Sequence, residues 1–293
     1  MKNFCTVADS NFYDRVSALE SSLTKVGEDF KIHLLCLDDI IANKINNKNI
    51  ICYNIKELKE KDKTLRASEN NPPSREALIN SGGDQNKAKK LQFIWSLSAY
   101  FSWWCLENLN LKDILYIDAD IYFYKNLNTL YDKLDNGGIN IGIVEHRCPY
   151  NPANGRYNVG IVYFKNNFEG YKCCTWWKNC LLTTDHQFYK THSSCGDQKY
   201  LELFSKLFKG VSVLDKSIGH LAPWNFNFHQ YNKEKIIWNN MEQELVYCHF
   251  SNFKIVGSSY ELAPRHGFKV APNKFVQNIA DEYFQCLKGF VGC

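Results

Sequence analysis

The fold of this chain is decided by the stretch Ile114-Leu115-Tyr116-Ile117-Asp118-Ala119-Asp120-Ile121-Tyr122-Phe123-Tyr124. An apolar run ends in two acids that flank one small residue, and a second apolar run follows. Apolar runs of this length, bounded by polar residues, are typical of a strand that is buried on both faces. Because side chains at positions i and i+2 of an extended chain point the same way, we expect Asp118 and Asp120 to converge on one point.

Two ionised carboxylates at that distance repel each other unless a cation lies between them. Hard divalent ions such as Mg²⁺ or Mn²⁺ take oxygen ligands and keep positions open for water or phosphate. The stretch therefore predicts a metal site that holds a diphosphate at the end of a strand. An Asp-x-Asp pair by itself is more often only a strand-terminal turn, so the rest of the chain has to decide between the two.

The composition indicates one large α/β domain. The chain has 293 residues, of which 45% are hydrophobic and 15% aromatic, and this content excludes a disordered protein. A net charge of +4, without a Lys/Arg stripe interleaved with aromatics, gives no reason to expect a nucleic-acid partner. A weak attraction to an anionic membrane surface stays open, so we keep peripheral membrane association as an alternative.

The cysteines and the N-terminus indicate a soluble cytoplasmic protein. None of the twelve cysteines forms a Cys-x-x-Cys pair, so the short ligand spacing of a zinc site is absent. Scattered free cysteines pack as small hydrophobes in a reducing compartment. Met1 leads directly into a strand-like run, and no apolar stretch approaches the roughly 18 residues that span a bilayer. We therefore expect the protein in the cytoplasm, with the inner face of the membrane as its alternative location.

The beginning of the chain predicts a parallel α/β sheet. Strands are predicted over 4–8, 30–37 and 50–53, with a helix between the first two that ends at Gly27. The ligands of such sheets lie beyond the carboxyl ends of the strands, which places 6–9 on the ligand side. Residues 56–90 are predicted to be a loop or a small excursion from the fold, and 91–109 a buried helix, apolar on nearly every face. Further strands are predicted over 139–144, 158–164, 211–214 and 245–248, and helices over 171–182, 197–208 and 273–288.

Three further motifs follow the acidic stretch in order: Asn158-Val159-Gly160, Gly196-Asp197-Gln198 and Val246-Tyr247-Cys248-His249. With them, the sequence resembles the nucleotide-sugar-dependent glycosyltransferases of the GT-A fold, nearest to the glycogenin and bacterial lipopolysaccharide galactosyltransferase group. The resemblance runs from Phe4 to about Lys254. It is closer still to a bacterial set that shares the motifs at 3–6, 176–180, 196–201 and 221–225.

The resemblance implies an α/β fold of the GT-A (Rossmann-like) class, with a mixed, mostly parallel sheet flanked by helices. It further implies a single domain over 1–293, with a nucleotide-binding half at about 1–125 and a sugar and acceptor half at about 126–293. The implied activity is metal-dependent transfer of a sugar from a nucleoside-diphosphate sugar, with a UDP-sugar favoured, to a glycan or lipid-linked acceptor. Retention of the anomeric configuration and a role in bacterial surface polysaccharide synthesis are implied as well.

The resemblance also assigns residues to roles. Asp118, Asp120 and His249 would hold Mn²⁺ or Mg²⁺, and Asp197 and Gln198 would be the catalytic residues beside the transferred sugar. The nucleotide-sugar would be bound by a larger set: Thr6, Val7, Ala8, Lys90, Asp118, Ala119, Asp120, Asn158 and Lys254. At 250–254 the sequence departs from the family pattern, because it lacks the glycine and the Pro-Trp pair that usually follow the histidine.

The residue types suit this chemistry without the family. A divalent cation stabilises the charge that develops on a departing diphosphate, and a lysine adds to that effect. Amide and carboxylate oxygens stabilise a sugar that becomes oxocarbenium-like as its bond to phosphate breaks.

Two alternative functions remain open from the sequence. Haloacid dehalogenase-type phosphatases also end a strand in Asp-x-Asp, although their motif lies near the N-terminus and here it lies mid-chain, followed by Ile121. A non-catalytic nucleotide-sugar-binding module would keep the same fold. For single residues the alternatives are a helix cap at Asp197, a structural histidine at His249 and a solvated lysine at Lys90.

Overall fold

The computed structural model describes residues 1–151, 155–183, 196–233, 235–263, 270–271 and 273–290. The strands in these ranges are β1 Lys2–Ala8, β2 Phe30–Cys36, β3 Ile50–Asn54, β4 Asp113–Ile117, β5 Ile121–Phe123, β6 Ile141–Glu145, β7 Tyr157–Lys165, β8 Val211–Val213, β9 Gly219–Leu221, β10 Gln230–Asn232, β11 Lys235–Trp238, β12 Met241–His249, β13 Phe253–Val256 and β14 Ser259–Leu262. The α-helices are α1 Tyr13–Lys25, α2 Asp39–Lys44, α3 Ile55–Lys61, α4 Lys63–Ser68, α5 Arg75–Asn80, α6 Gln85–Asn108, α7 Asn128–Asn136, α8 Phe168–Leu182, α9 Phe204–Leu207 and α10 Lys274–Lys288.

The main sheet is mixed and mostly parallel. In the described part of the chain it has the strand order β3-β2-β1-β4-β7-β6-β8. The pairs β3–β2, β2–β1, β1–β4 and β6–β8 are parallel, whereas β7 runs antiparallel to both β4 and β6. The predicted α/β fold class is therefore confirmed, and β1 and β4 lie side by side at the centre of the sheet.

A second sheet forms around β12. This strand pairs antiparallel with β11 and β5 and parallel with β9. Because β5 follows β4 after a turn of only three residues, the chain passes directly from the main sheet into the second one. The predicted strand end at the acidic pair is confirmed: β4 ends at Ile117, and the two acids lie in the turn that follows it.

Helices cover both faces of the main sheet. On one face α6 packs against α8, β1 and β4, and its side chains Leu97 and Phe101 are fully buried. On the other face α1 buries Leu19 and Leu23 in a second cluster, to which α7 also contributes. The terminal helix α10 packs on α1 and closes a third cluster with residues of the second sheet. Burial of α6 confirms the prediction drawn from its apolar faces.

Two predictions about local structure are wrong. Residues 56–90 do not form a loop, because α3, α4 and α5 lie there and α6 already begins at Gln85. Each of these short helices starts at a polar cap, such as Asp62 or Ser74, and is too short to show a helical repeat of apolar residues. The predicted helix over 197–208 is instead a 3-10 helix, Gln198–Leu203, followed by the single turn of α9. Among the described helices, none is long and apolar enough to span a bilayer.

Candidate active site

The acidic turn is held between the two sheets by backbone hydrogen bonds. The amide of Asp118 donates to the carbonyl of Gly160 on β7 at 3.0 Å, and the carbonyl of Asp120 accepts from the amide of Phe250 at 2.9 Å. A third bond, from the amide of Ile121 to the carbonyl of Asp118 at 3.2 Å, closes the turn. The two carboxylates therefore lie at the carboxyl end of β4, where parallel sheets bind their ligands.

Strand register brings His249 to this turn. In the antiparallel pair β5–β12, His249 lies opposite Ile121, the residue that follows Asp120. Its Nε2 lies 3.0 Å from a carboxylate oxygen of Asp120 and 3.5 Å from one of Asp118. One ligand atom from each of the three residues falls within 4.8 Å of the others. The structure thus brings together the three predicted metal ligands.

Neighbouring aromatic side chains hold two residues of this cluster, His249 and Asp118, in place. The His249 ring is nearly buried, with 7% of its side chain exposed, and the edge of Trp224 packs against it at 5.2 Å between centroids. The hydroxyl of Tyr116 donates to Asp118 Oδ1 at 2.9 Å. Such outer contacts orient metal ligands in proteins.

The donor set fits a hard divalent cation. Two carboxylates and one imidazole supply the oxygen and nitrogen ligands that Mn²⁺ accepts, and Mg²⁺ accepts the oxygens. Burial alone would raise the pKa of Asp120, but the neighbouring His249 more than offsets this and holds that pKa below its usual value. Asp120 is therefore ionised at neutral pH, as a metal ligand must be.

Because Gly160 has no side chain, the ring of His249 has room beside it. A Cβ built on Gly160 would lie 2.6 Å from His249 Nδ1 and 2.5 Å from Asn158 Oδ1, closer than real contacts of this kind. We expect Gly160→Ala to displace the histidine and to weaken Mn²⁺-dependent nucleotide binding about 10–100-fold, the scale seen when a ligand's support is lost. Calorimetry with UDP and Mn²⁺ measures this loss.

Gly289→Ala provides the matched control for that measurement. The nearest contact of its added Cβ is the Cys286 carbonyl at 3.3 Å, at the end of α10. Equal UDP affinity in wild type and Gly160→Ala would show that the histidine position does not depend on this glycine.

Asp197 lies beside the cluster, and its pKa is raised whereas that of Asp120 is lowered. Its carboxylate accepts from the Ser98 hydroxyl at 3.1 Å, and its carbonyl accepts from Trp177 Nε1 at 3.1 Å. Burial, with smaller contributions from the negative charges of Asp118 and Glu76, raises the pKa of Asp197 to about 8.

The structure contradicts the helix-cap alternative for Asp197. The residue precedes the 3-10 helix, but its side chain makes no capping hydrogen bond. Instead the carboxylate is held by Ser98 of α6, on a separate element of the fold. Its position therefore serves the cavity and not the end of a helix.

A cavity of about 610 Å³ opens above the carboxyl ends of the central strands. Most of the predicted site residues line it: Val7, Ala8, Asp118, Ala119, Asp120, Asn158, Asp197, Gln198 and His249. Three do not. Thr6 is fully buried in β1, and Lys90 and Lys254 are exposed side chains outside the lining. The structure thus collects the metal and sugar residues at one place, and it leaves the two lysines apart from them.

Several lining residues were missed by the sequence reasoning. Glu76 on α5 accepts a hydrogen bond from the amide of Gly196 at 2.7 Å, and Trp95 on α6 lies against the same glycine. Phe12 lines the cavity near the end of β1. Glu76 belongs to no motif and lies in the segment predicted as a loop. Only the folded structure shows that it lines the site. Trp224 also lines the cavity, where it is 3% exposed and packs against the His249 ring.

The fold and this site together define a glycosyltransferase of the GT-A class. The chain belongs to glycosyl transferase family 8, whose model matches residues 3–254. Family membership favours the transferase over the phosphatase and over the non-catalytic module.

Two curated relatives come from Bacillus subtilis strain 168. The uncharacterized protein YfnF is 26% identical over 268 residues, covering 86% of this chain and 82% of the relative. The uncharacterized protein YfnD is 23% identical over 266 residues, covering 87% and 78%. Both alignments span most of each protein.

Solved structures share the fold at low identity. Mouse xyloside xylosyltransferase 1, in its apo form, matches with a TM-score of 0.54 and 13% identity, covering 86% of this chain and 98% of that one. The galactosyltransferase LgtC, solved with donor and acceptor sugar analogs, matches with a TM-score of 0.53 and 12% identity, covering 99% and 97%. The resemblance drawn from the sequence motifs is therefore confirmed at the level of fold and family.

Proposed function

We propose that this enzyme transfers a sugar from a UDP-sugar to a glycan or lipid-linked acceptor, with Mn²⁺ or Mg²⁺ held by Asp118, Asp120 and His249. The observation that carries the proposal is the convergence of these three side chains at the wall of the 610 Å³ cavity. Asp197 and Gln198 line the same cavity, so the sugar of a diphosphate held at the cluster would lie near them. When bound, the cation supplies Lewis-acid stabilisation of the diphosphate as it departs.

The residues around the cavity suit the parts of such a donor. Val7 and Ala8, at the carboxyl end of β1, would contact the nucleoside, and Ala119 would contact the donor from the acidic turn. Thr6 would act from behind them, through the backbone of β1. Asn158 would face the transferred sugar, and its Oδ1 is held by the Gly160 amide at 2.8 Å.

The catalytic roles fall to Asp197 and Gln198. A carboxylate and an amide oxygen beside the anomeric carbon stabilise the positive charge that develops there. We further propose that transfer proceeds with retention, which rests on the resemblance to the galactosyltransferase group. Lys90 and Lys254 would reach the donor only by moving their exposed side chains toward the cavity.

The cellular setting is proposed from the cysteines and the relatives. No two of the described cysteines form a disulfide, as expected in a reducing compartment. The curated relatives come from a bacterium. We therefore place the enzyme in the cytoplasm, at the inner face of the membrane when its acceptor is lipid-linked, in the synthesis of a surface polysaccharide.

A thermal-shift panel tests the proposed donor. Ligands that bind the native state raise the melting temperature, in proportion to the logarithm of their concentration over Kd. We expect a UDP-sugar to raise it in the presence of Mn²⁺ and to raise it far less with a chelator. A panel in which no nucleotide-sugar shifts the melting temperature would contradict the proposed function.

His249→Ala is expected to weaken UDP binding about 10–100-fold in the presence of Mn²⁺ and to leave metal-free binding unchanged. The reason is that imidazole is a ligand for Mn²⁺, whereas it has no role toward a free nucleotide. Calorimetry in both conditions separates these effects. The matched control is His33→Ala, a buried histidine of β2 that does not line the active-site cavity. An equal loss with and without metal would mark His249 as a structural histidine.

A further inference from the structure

Glu76 joins the short helix α5 to the segment that carries the two proposed catalytic residues. Its Oε2 accepts a hydrogen bond from the backbone amide of Gly196 at 2.7 Å. Gly196 directly precedes Asp197 and Gln198, and Glu76 lines the active-site cavity together with both of them. We propose that Glu76 is a positioning residue for sugar transfer, whose contact with Gly196 orients the two catalytic residues. This inference rests on the proposed function.

The bond between Glu76 and Gly196 is of a strong type. A carboxylate that accepts from a backbone amide makes a charge-assisted hydrogen bond, about twice as strong as one between neutral groups. Gly196 is buried and Glu76 is half-buried, so water competes little for either group. The two residues lie 120 positions apart in the chain, and the bond therefore fixes two separate elements against each other.

The helix that carries Glu76 is itself firmly attached to α6. The Ser74 hydroxyl caps α5 by accepting from the Ala77 amide at 3.2 Å, and the Ser74 amide donates to Gln92 Oε1 of α6 at 3.3 Å. Ser74, Ala77 and Gln92 are all at most 3% exposed. Glu76 lies in the first turn of this helix, so its carboxylate starts from a fixed backbone, as a positioning group requires.

Gly196 is the part of the catalytic segment that most needs support from outside. A Cβ built on it would lie 2.7 Å from Trp95 Cε3, so the indole packs directly on the glycine and leaves no room for a side chain. Glycine has the freest backbone of all residues, and a rotation about its dihedral angles would turn the residues that follow. The hydrogen bond to Glu76 holds the Gly196 amide and so restrains this rotation.

The other contacts of the segment act further along it. The carboxylate of Asp197 is held by Ser98 of α6, and its carbonyl by Trp177 of α8, both at 3.1 Å. Glu76 thus completes a set of contacts from α5, α6 and α8. An error of about 1 Å in the placement of a reacting group can cost about a hundredfold in rate. Loss of the contact with Glu76 should therefore appear in turnover, whereas UDP binds at the other end of the donor.

Three substitutions of Glu76 separate its contact from its charge. Glu76→Gln keeps an oxygen that can accept from the Gly196 amide and removes the charge. Glu76→Asp keeps the charge but is one methylene shorter, so the carboxylate withdraws from the amide, and Glu76→Ala removes both. The distinction matters because the charge of Glu76, after burial, contributes to the raised pKa of Asp197.

Steady-state UDP release from a UDP-sugar with Mn²⁺ tests the inference. We expect Glu76→Asp and Glu76→Ala to lower kcat by about a hundredfold, and Glu76→Gln to keep it within a few-fold of wild type. Calorimetry with UDP and Mn²⁺ should give the wild-type affinity for all three variants, because the nucleotide and the metal cluster do not depend on the Gly196 amide.

Glu169→Ala is the matched control. The Glu169 carboxylate also accepts from a backbone amide, that of Lys209 at 2.8 Å, but it lies outside the active-site cavity. This variant loses the same type of bond and should keep its kcat. Melting temperatures of all variants report the fold, and a purely structural role of Glu76 would lower the melting temperature of Glu76→Ala without changing kcat.

Three results would overturn the inference: an unchanged kcat in Glu76→Asp, a loss of kcat in Glu76→Gln as large as in Glu76→Ala, or a fall in UDP affinity that parallels the fall in kcat. If Glu76→Ala does not fold, the comparison of Glu76→Asp with Glu76→Gln and wild type decides, since both keep a polar side chain on the helix. A wild-type enzyme that releases no UDP from any UDP-sugar would instead overturn the proposed function.

Discussion

Asp120→Asn is expected to reduce sugar transfer by more than about a hundredfold while the protein keeps its fold. Loss of a group that merely supports a metal ligand costs about 10–100-fold, so loss of a charged ligand should cost more. Asparagine has the same size and can still bond to its neighbours, and only the negative charge disappears. Release of UDP from a UDP-sugar in the presence of Mn²⁺ measures the activity, and a circular dichroism melt reports the fold.

Asp113→Asn is the matched control for this variant. Asp113 is a buried acid at the other end of β4, where it accepts from the Tyr163 hydroxyl at 3.4 Å, and it does not line the cavity. The control should retain its UDP release because it leaves the cluster intact. Activity of Asp120→Asn within a few-fold of wild type would remove Asp120 from the metal site.

Asp197→Asn is expected to lower turnover by about a hundredfold without changing UDP affinity. With a divalent cation bound, the nearby positive charge favours the ionised form of Asp197. A charge that faces the transition state contributes on this scale, and the nucleotide end of the donor lies elsewhere in the cavity. The amide can still accept from the Ser98 hydroxyl, so the side chain keeps its place. Steady-state turnover and UDP calorimetry measure the two quantities. Normal turnover in this variant would exclude Asp197 from the chemistry.

The raised pKa of Asp197 gives the same variant a second, independent readout. In the metal-free protein that pKa is about 8, against an ordinary value of 3.8. The folded state therefore holds the proton of Asp197 more tightly than the unfolded state does. The stabilisation that results is complete below pH 3.8 and is lost as the pH rises through 8. With a chelator present, the melting temperature of wild type should fall relative to that of Asp197→Asn across this window. Parallel curves would show that Asp197 ionises normally.

The sequence could predict the residues of the metal cluster but not the contact that assembles it. The acidic stretch identified Asp118 and Asp120, and the resemblance to the glycosyltransferase family identified His249. Their meeting depends on the pairing of β5 with β12, which are far apart in the chain. A one-residue shift of that register would turn His249 to the other face of the sheet. Local patterns do not contain this information.

The turn at the acidic pair shows a second limit of prediction. Apolar runs on both sides of the pair look like one strand, because strands buried on both faces carry no alternation. The structure divides them between two sheets, and the turn is what exposes both carboxylates to the cavity. The prediction that the two acids converge was therefore right, but the cause is the turn after β4 and not the i, i+2 spacing of an extended strand.

A second cavity, of about 870 Å³, could not have been predicted from the sequence. Its aromatic residues come from the loop after β6, the start of β7, a 3-10 helix and the β11–β12 hairpin, and none of them belongs to a motif. Such loops and hairpins meet only when the sheets are assembled, so the sequence gives no local signal for them. The same holds for Glu76, which a short helix brings to Gly196.

The most direct test of the central claim is UDP release from a panel of UDP-sugars, measured with Mn²⁺ and with a chelator. The account predicts that the enzyme releases UDP from at least one UDP-sugar when Mn²⁺ is present. It also predicts that the chelator removes this activity, since Asp118, Asp120 and His249 would hold the cation that binds the diphosphate. Equal release with Mn²⁺ and with chelator, or no release from any UDP-sugar, would contradict the claim that this is a metal-dependent UDP-sugar transferase.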